Sequence, residues 1–174
     1  MRPRNILFLC THNSSRSILA EAILNAKGAG RFRAFSAGSS PKGAPNPFAL
    51  KLLVERGHPT GQLRSKSWEV FSTPDAPRMD AVITVCDDAA GEICPVWPGR
   101  PMTAHWGIAD PSAVAGDDAV RVRAFARAYA QIEQRIDRLL ALPSDLDGGP
   151  FAEALRRIGA SSEGATSRTK SEGY

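Results

Sequence analysis

Residues 5–27 constrain this chain more than any other stretch. Asn5 to Cys10 carries the unbroken apolar run Ile-Leu-Phe-Leu and reads as a buried strand. The polar loop Thr11-His12-Asn13-Ser14-Ser15-Arg16 follows at once. Ser17 to Lys27 then reads as a helix, with Ile18, Leu19, Ala22, Ile23 and Ala26 on one face and Gly28 closing it. A strand that passes through a short loop into a helix is the opening unit of a parallel α/β sheet.

The remaining segments continue that alternation. Arg33 to Ala37 reads as a second strand, turned by Gly38-Ser39-Ser40-Pro41. The next helix has Asn46 as N-cap, Pro47 at its first position and Gly57 just past its end. Ala81 to Cys86 is a third strand, Cys86 to Pro98 a loop with room for one helical turn, and Met102 to Trp106 a short fourth strand. A long helix spans Asp117 to Leu142, with Val122, Phe125, Tyr129, Ile132, Ile136 and Leu139 along one stripe. Its other face carries Arg121, Arg123, Arg127, Arg135 and Arg138 and reads as solvated. Trp97 and Trp106 read as packing at the loop bases, with Trp97 also open to a partner at the surface. Residues 1–143 form one unit, and 144–174 a C-terminal extension with a short helix from Phe151 to Ile158. The last 16 residues hold three Gly, four Ser and two Thr, a composition that favours disorder. The whole reads as an α/β three-layer sandwich around a parallel sheet.

Hydrophobic residues make up 43% of the 174, enough for a real core. No apolar run approaches the ~20 residues of a membrane span. Arg2 and Arg4 before the apolar stretch mimic a secretory or lipoprotein signal ending at Cys10, but Ile6 to Leu9 is far short of the ~7–15 residues of a signal core. The net charge of +4 is scattered rather than clustered, which argues against nucleic acid and suits a small anion. Three cysteines without a leader point to a reducing cytoplasm.

The loop between the first strand and helix is where chemistry concentrates. Cys10, five residues, Arg16 and the hydroxyl of Ser17 stand at a helix N-terminus, where successive N–H groups of Thr11, His12, Asn13, Ser14 and Ser15 can converge on a tetrahedral oxyanion. Arg16 would close that nest with a planar fork. The same positive surroundings are expected to make Cys10 a thiolate nucleophile, with Ser17 hydrogen-bonding it. Asp110-Pro111 follows the fourth strand at the same end of the sheet, where a carboxylic acid could protonate a leaving oxygen. Cys86 ends the third strand, close to Cys10 if those strands are neighbours, and Cys94 lies eight residues on. Joining Cys86 to Cys94 needs Cα atoms ~4.4–6.8 Å apart and hence local refolding of the segment between them. A thiol relay, two packed cysteines and a metal site all use such a pair. Metal is the weakest, because no Cys-x2-Cys is present and His12, His58 and His105 are scattered.

Asn5 to Lys27, Asp110-Pro111 and the Cys86…Cys94 pair together resemble the arsenate reductases built on the low-molecular-weight tyrosine phosphatase fold, over most of residues 5–142. The resemblance implies a central four-stranded parallel sheet, Cys10 as nucleophile, Arg16 as oxyanion clamp, Asp110 as acid, and Cys86 and Cys94 as redox partners. It implies arsenate as substrate, no organic cofactor, and thioredoxin, glutaredoxin or a low-molecular-weight thiol as the reductant that recharges the disulfide.

Three departures from the family pattern stand out. His12 occupies a position that is often Gly, which matters if it needs a positive φ. Ser15 replaces a frequent second loop cysteine. Some relatives hold potassium beside the loop; Asn13, Glu21 and Ser36 match that site, but no aspartate stands near Ser65 to Ser67 and the Lys66 ammonium could fill the space, so no ion is expected. Two rival readings share these residues. A tyrosine phosphatase would use Cys10, Arg16 and Asp110, but Ser112, Ala113 and Val114 follow the Asp-Pro pair instead of tyrosines. A thiol sensor would use the cysteines without needing Arg16 or Asp110.

Overall fold

The computed structural model describes residues 2–91 and 95–161. In chain order it contains β1 (Arg4–Leu9), α1 (Arg16–Lys27), β2 (Phe32–Ala37), α2 (Pro47–Glu55), β3 (Ala81–Thr84), α3 (Asp87–Gly91), β4 (Met102–His105), α4 (Asp118–Leu140) and α5 (Gly148–Ala160). The four strands form one parallel sheet in the order β2-β1-β3-β4. Leu9 pairs with Ala37 on one side and Thr84 on the other, and Thr84 pairs in turn with His105. The C-terminal ends of β1, β3 and β4 therefore lie side by side, the placement that brings loops from distant sequence into one site.

Because β1 is central, its residues are buried on both faces, and this is why its apolar run does not alternate with polar residues. Ile6 and Phe8 face a core shared with Ile18 and Ile23 of α1, Leu53 of α2, Phe125, Ile132 and Ile136 of α4, and Phe151 and Leu155 of α5. Leu7 and Leu9 face the other way, onto Phe71, Met79, Val82 and Trp97. That second face is covered by the segment running through the short 3-10 turn Trp68–Phe71 rather than by a long helix. Trp97 is buried there and stands edge-on to Trp68, with ring centroids 6.4 Å apart, so it is core rather than a partner-facing residue.

The helix signals act as read. Asn46 caps α2 by accepting from the Phe48 N–H at 2.9 Å, with Pro47 at the first position, and Asp117 caps α4 through the Val120 N–H at 3.0 Å. β3 stops at Thr84, two residues before the expected end, because Cys86 turns the chain into α3. α5 starts at Gly148 instead of Phe151 and seals the core, with Phe151, Ala152, Leu155 and Ile158 buried. The Trp106 indole N–H donates to the Leu155 carbonyl at 2.9 Å, and the Arg4 guanidinium lies 4.1 Å over the Phe151 ring. Arg135 corrects the solvated reading of the basic face of α4: it is buried and donates to the Gly107 carbonyl at 2.9 Å. Residues 162–174, expected to be a disordered tail, lie outside the described residues.

Candidate active site

Cys10 follows the last residue of β1 and is buried with 5% exposure. Its sulfur accepts from the His12 N–H and is hydrogen-bonded to the thiol of Cys86, itself 2% exposed. Both are free thiols. The expected juxtaposition of Cys10 and Cys86 is thus present, and it follows from the pairing of β1 with β3. Cys94 lies outside the described residues.

The charge on this pair is placed differently from the sequence reading. Cys10 is pushed above the usual thiol range, first by its hydrogen bond with Cys86 and then by burial, against the pull of Arg16 and the His12 N–H. Cys86 is held down at about 5, chiefly by the same hydrogen bond, with the Ala89 and Thr11 N–H groups and the Thr11 hydroxyl helping against burial. One negative charge is shared between the two sulfurs and rests on Cys86, which has more donors. The Thr11 and Ala89 N–H groups each approach Cys86 Sγ at 3.4 Å, and the Thr11 hydroxyl lies 3.6 Å away. Thr11, expected to serve an oxyanion, therefore turns its N–H to the second cysteine.

The loop is held from below by a strap, residues 64–67. Asn13 carries the positive φ, 45°, and His12 does not, so His12 in place of Gly costs nothing. The Asn13 side chain donates to Ser17 Oγ at 2.8 Å and accepts from the Lys66 N–H at 2.9 Å. The Ser65 hydroxyl donates to the His12 carbonyl at 3.0 Å, and the His12 ring turns outward, 3.1 Å from the Ser40 carbonyl. Gly38 makes this packing possible. A Cβ there would lie 2.5 Å from the Thr11 carbonyl oxygen, 2.6 Å from that of Cys10 and 2.9 Å from the Asn13 nitrogen. In the sequence Gly38 reads only as a turn residue.

Arg16 opens α1 and reaches across to the loop after β4, donating to the Ile108 carbonyl at 2.9 Å and pairing with Asp110 Oδ2 at 3.5 Å. Asp110 Oδ1 accepts from the Ser112 N–H at 2.9 Å and its hydroxyl at 2.7 Å. Arg16 Nε and Ser15 Oγ are buried without a hydrogen-bond partner among the described residues, and both can donate to an oxyanion seated in the loop. Ser14 and Ser17 are buried beside them. Cys10, Arg16 and Asp110 are thus gathered at the ends of β1, α1 and β4.

The neighbouring polar cluster does not fit a bound potassium ion. Ser36 Oγ donates to Glu21 Oε2 at 3.2 Å, and the Lys66 ammonium lies 3.5 Å from Ser36 Oγ and 2.9 Å from the Arg64 carbonyl. Burial raises Glu21 against the pull of Lys66, and burial lowers Lys66 against the pull of Glu21. The chain supplies its own cation, and a second one beside it would be repelled.

A buried cysteine in a backbone cradle, with a largely covered arginine and a carboxylate facing it, is the arrangement of a class of enzyme that acts on tetrahedral oxyanions through a thio-linked intermediate. The profile of the family described as low molecular weight phosphotyrosine protein phosphatase matches residues 5–148, and the chain belongs to that family. Within it, the chain is 33% identical over 138 residues to the arsenate reductase of Bacillus licheniformis, covering 79% of this chain and 96% of the relative. A solved thioredoxin-dependent arsenate reductase from Corynebacterium glutamicum superimposes with a TM-score of 0.59 at 29% identity, over 80% of this chain and 61% of that longer one. An arsenate reductase solved in its oxidised state gives a TM-score of 0.63 at 26% identity, over 79% of this chain and 97% of the other. Among the described residues no helix is long and apolar enough to cross a membrane.

Proposed function

We propose that this chain reduces arsenate to arsenite through Cys10, Cys86 and Cys94. The observation that carries the reading is the second thiol, Cys86, hydrogen-bonded to the nucleophile and provided with its own donors from Thr11 and Ala89. Hydrolysis of a phosphate ester has no use for it.

Arsenate docks in the loop against the N–H groups of Asn13, Ser14, Ser15, Arg16 and Ser17, with the Arg16 guanidinium closing over it, while the His12 N–H stays on Cys10 Sγ. As Cys10 attacks, its proton passes to Cys86, a sulfur–arsenic bond forms, and Asp110 protonates the departing hydroxide to water. Cys86 then attacks Cys10 Sγ, giving up the proton it received to the departing arsenite. A sulfur–sulfur bond forms, the sulfur–arsenic electron pair goes to arsenic, and arsenite leaves. Cys94 attacks Cys86 in turn and releases Cys10 as a thiolate. Thioredoxin, or alternatively glutaredoxin or a low-molecular-weight thiol, reduces the Cys86–Cys94 disulfide. The setting is the cytoplasm, the biological role is resistance to arsenicals, and neither nucleic acid nor membrane takes part.

The test is arsenate-dependent NADPH oxidation with thioredoxin and thioredoxin reductase. Sustained turnover is expected from the wild type, none from Cys10→Ser, and a single turnover from Cys94→Ala. Family membership favours one other reading, a phosphatase. Hydrolysis of an aryl phosphate, with no arsenate-dependent oxidation under either thioredoxin or glutathione–glutaredoxin, would establish it instead.

A further inference from the structure

One polar chain at the sheet's edge has no part in the steps above. His105 ends β4, and its Nε2 lies 2.7 Å from Asp87 Oδ1, the first residue of α3. A carboxylate only accepts, so Nε2–H is the donor. The other ring nitrogen, Nδ1, lies 2.7 Å from the Thr84 hydroxyl at the end of β3. Thr84 and His105 are partners in the sheet register, and Trp106 N–H donates to the Thr84 carbonyl at 2.7 Å, so both stand on fixed backbone. The only member that is not part of the sheet is Asp87, whose side chain is 92% exposed. Exposure alone would leave such a side chain free, yet here it folds back onto the strand.

Gly107 leaves the space for this contact. A Cβ at that position would stand 2.9 Å from His105 Nε2 and 3.0 Å from Asp87 Oδ1. α3 is short, five residues, and a helix of that length does not hold itself together in water. Its first turn nevertheless matters, because the Ala89 N–H within it donates to Cys86 Sγ. A bond from Cys86 to Cys94 would remove the thiolate charge that the Ala89 and Thr11 N–H groups now hold, and with it the support of the first turn.

We propose that the Asp87–His105–Thr84 chain is a latch that holds α3 folded around Cys86 and sets how readily the disulfide passes from Cys10–Cys86 to Cys86–Cys94. The proposal rests on the relay described above. The step itself is balanced: the Cys94 thiolate attacks Cys86 Sγ, the Cys86–Cys94 bond forms, the Cys10–Cys86 bond breaks, and Cys10 departs as a thiolate with no net oxidation. The latch stabilises the forms that precede the bond to Cys94, the dithiol and the Cys10–Cys86 disulfide, in which α3 stays folded beside Cys86. Weakening it favours the Cys86–Cys94 disulfide.

The experiment uses the full chain carrying Cys10→Ser, which leaves Cys86 and Cys94 as the one dithiol pair, equilibrated against mixtures of reduced and oxidised dithiothreitol. Peptide mapping identifies the bond formed. Asp87→Asn, on an exposed side chain that the fold does not need, and His105→Ala are each expected to shift the equilibrium two- to fivefold toward the disulfide, about 10–20 mV more negative. Gly107→Ala, which alters neither partner, is expected to shift it in the same direction. The Asp87→Asn/His105→Ala double variant is expected to match the single variants, because both break one contact. An unchanged equilibrium in Asp87→Asn or His105→Ala, a shift toward the dithiol, or a double variant whose shift is the sum of the two overturns the latch. If Cys86 and Cys94 form no bond at all, the relay falls and the latch with it. If they bond and the variants leave the equilibrium unmoved, the latch alone falls.

Discussion

Arg16 and the His12 N–H draw negative charge onto Cys10, while Cys86 and the burial of the sulfur oppose it, and the hydrogen bond between the thiols decides the outcome. In a Cys94→Ala protein, thiolate absorbance should therefore show one equivalent forming with a midpoint at about 5, and the second still absent at pH 9. The sign follows from the pair: below that midpoint both sulfurs are protonated and attack on arsenate slows, and above it the single charge is present. In a Cys10→Ala/Cys94→Ala protein, Cys86 loses its largest lowering influence, and its titration should move up. The sequence disclosed the basic surroundings of Cys10 but not this division of charge, because only the β1–β3 pairing brings the second sulfur within bonding distance. Lys66 illustrates the same limit. Its ammonium is recognisable as a cation near Glu21, yet its contact with Ser36 depends on the strap. Lys66→Met should cost about 1–3 kcal/mol by leaving buried Glu21 uncompensated, and Glu21→Gln in the same protein should recover most of it in a denaturant titration. Exchanging sodium for potassium should leave wild-type turnover unchanged.

Elements were legible where one physical rule acts alone. The buried run of β1, the Asn46-Pro47 cap and the apolar stripe of α4 depend on local patterning, and each lies within a residue or two of its expected place. Arg135 was not legible, because helical spacing puts it at the seam between the apolar stripe and the solvated face, and its partner is a backbone carbonyl from a distant loop. That contact fastens α4 to Gly107, one residue before the Ile108 carbonyl that orients Arg16. Arg135→Met should lose about 1–3 kcal/mol of stability and lower kcat more than it raises KM, since the clamp is displaced while most of the loop persists. Gly38 is not legible in the sequence for a related reason: a glycine in a turn is ordinary, and only the packed loop shows three backbone atoms crowding its missing side chain. Gly38→Ala should lower kcat/KM at least tenfold with helix content unchanged by circular dichroism, because the Cβ pushes directly on the backbone at Cys10, Thr11 and Asn13.

At the scale of the molecule, the family match ends at residue 148, just where α5 begins, yet α5 closes the same core. Removing it uncovers Trp106 and strips out Phe151, Leu155 and Ile158, each worth roughly 1.5–3 kcal/mol of burial, against a total stability of about 5–15 kcal/mol for a domain. A chain ending at Asp147 should accordingly be insoluble or melt far below the full chain in a thermal scan. The alternation of strands and helices made the sheet legible, but the covering of its second face by the Trp68–Phe71 turn and Trp97 was not, because irregular segments carry no period. The strand order β2-β1-β3-β4 has a consequence for how such a chemistry could arise. Cys10, Arg16 and Asp110 hang from β1, α1 and β4, whereas Cys86 hangs from β3 alone. The anion seat and the second thiol thus occupy separate stretches of chain. A scaffold of this order could exchange hydrolysis for electron transfer by rewriting one segment beside an already finished anion seat.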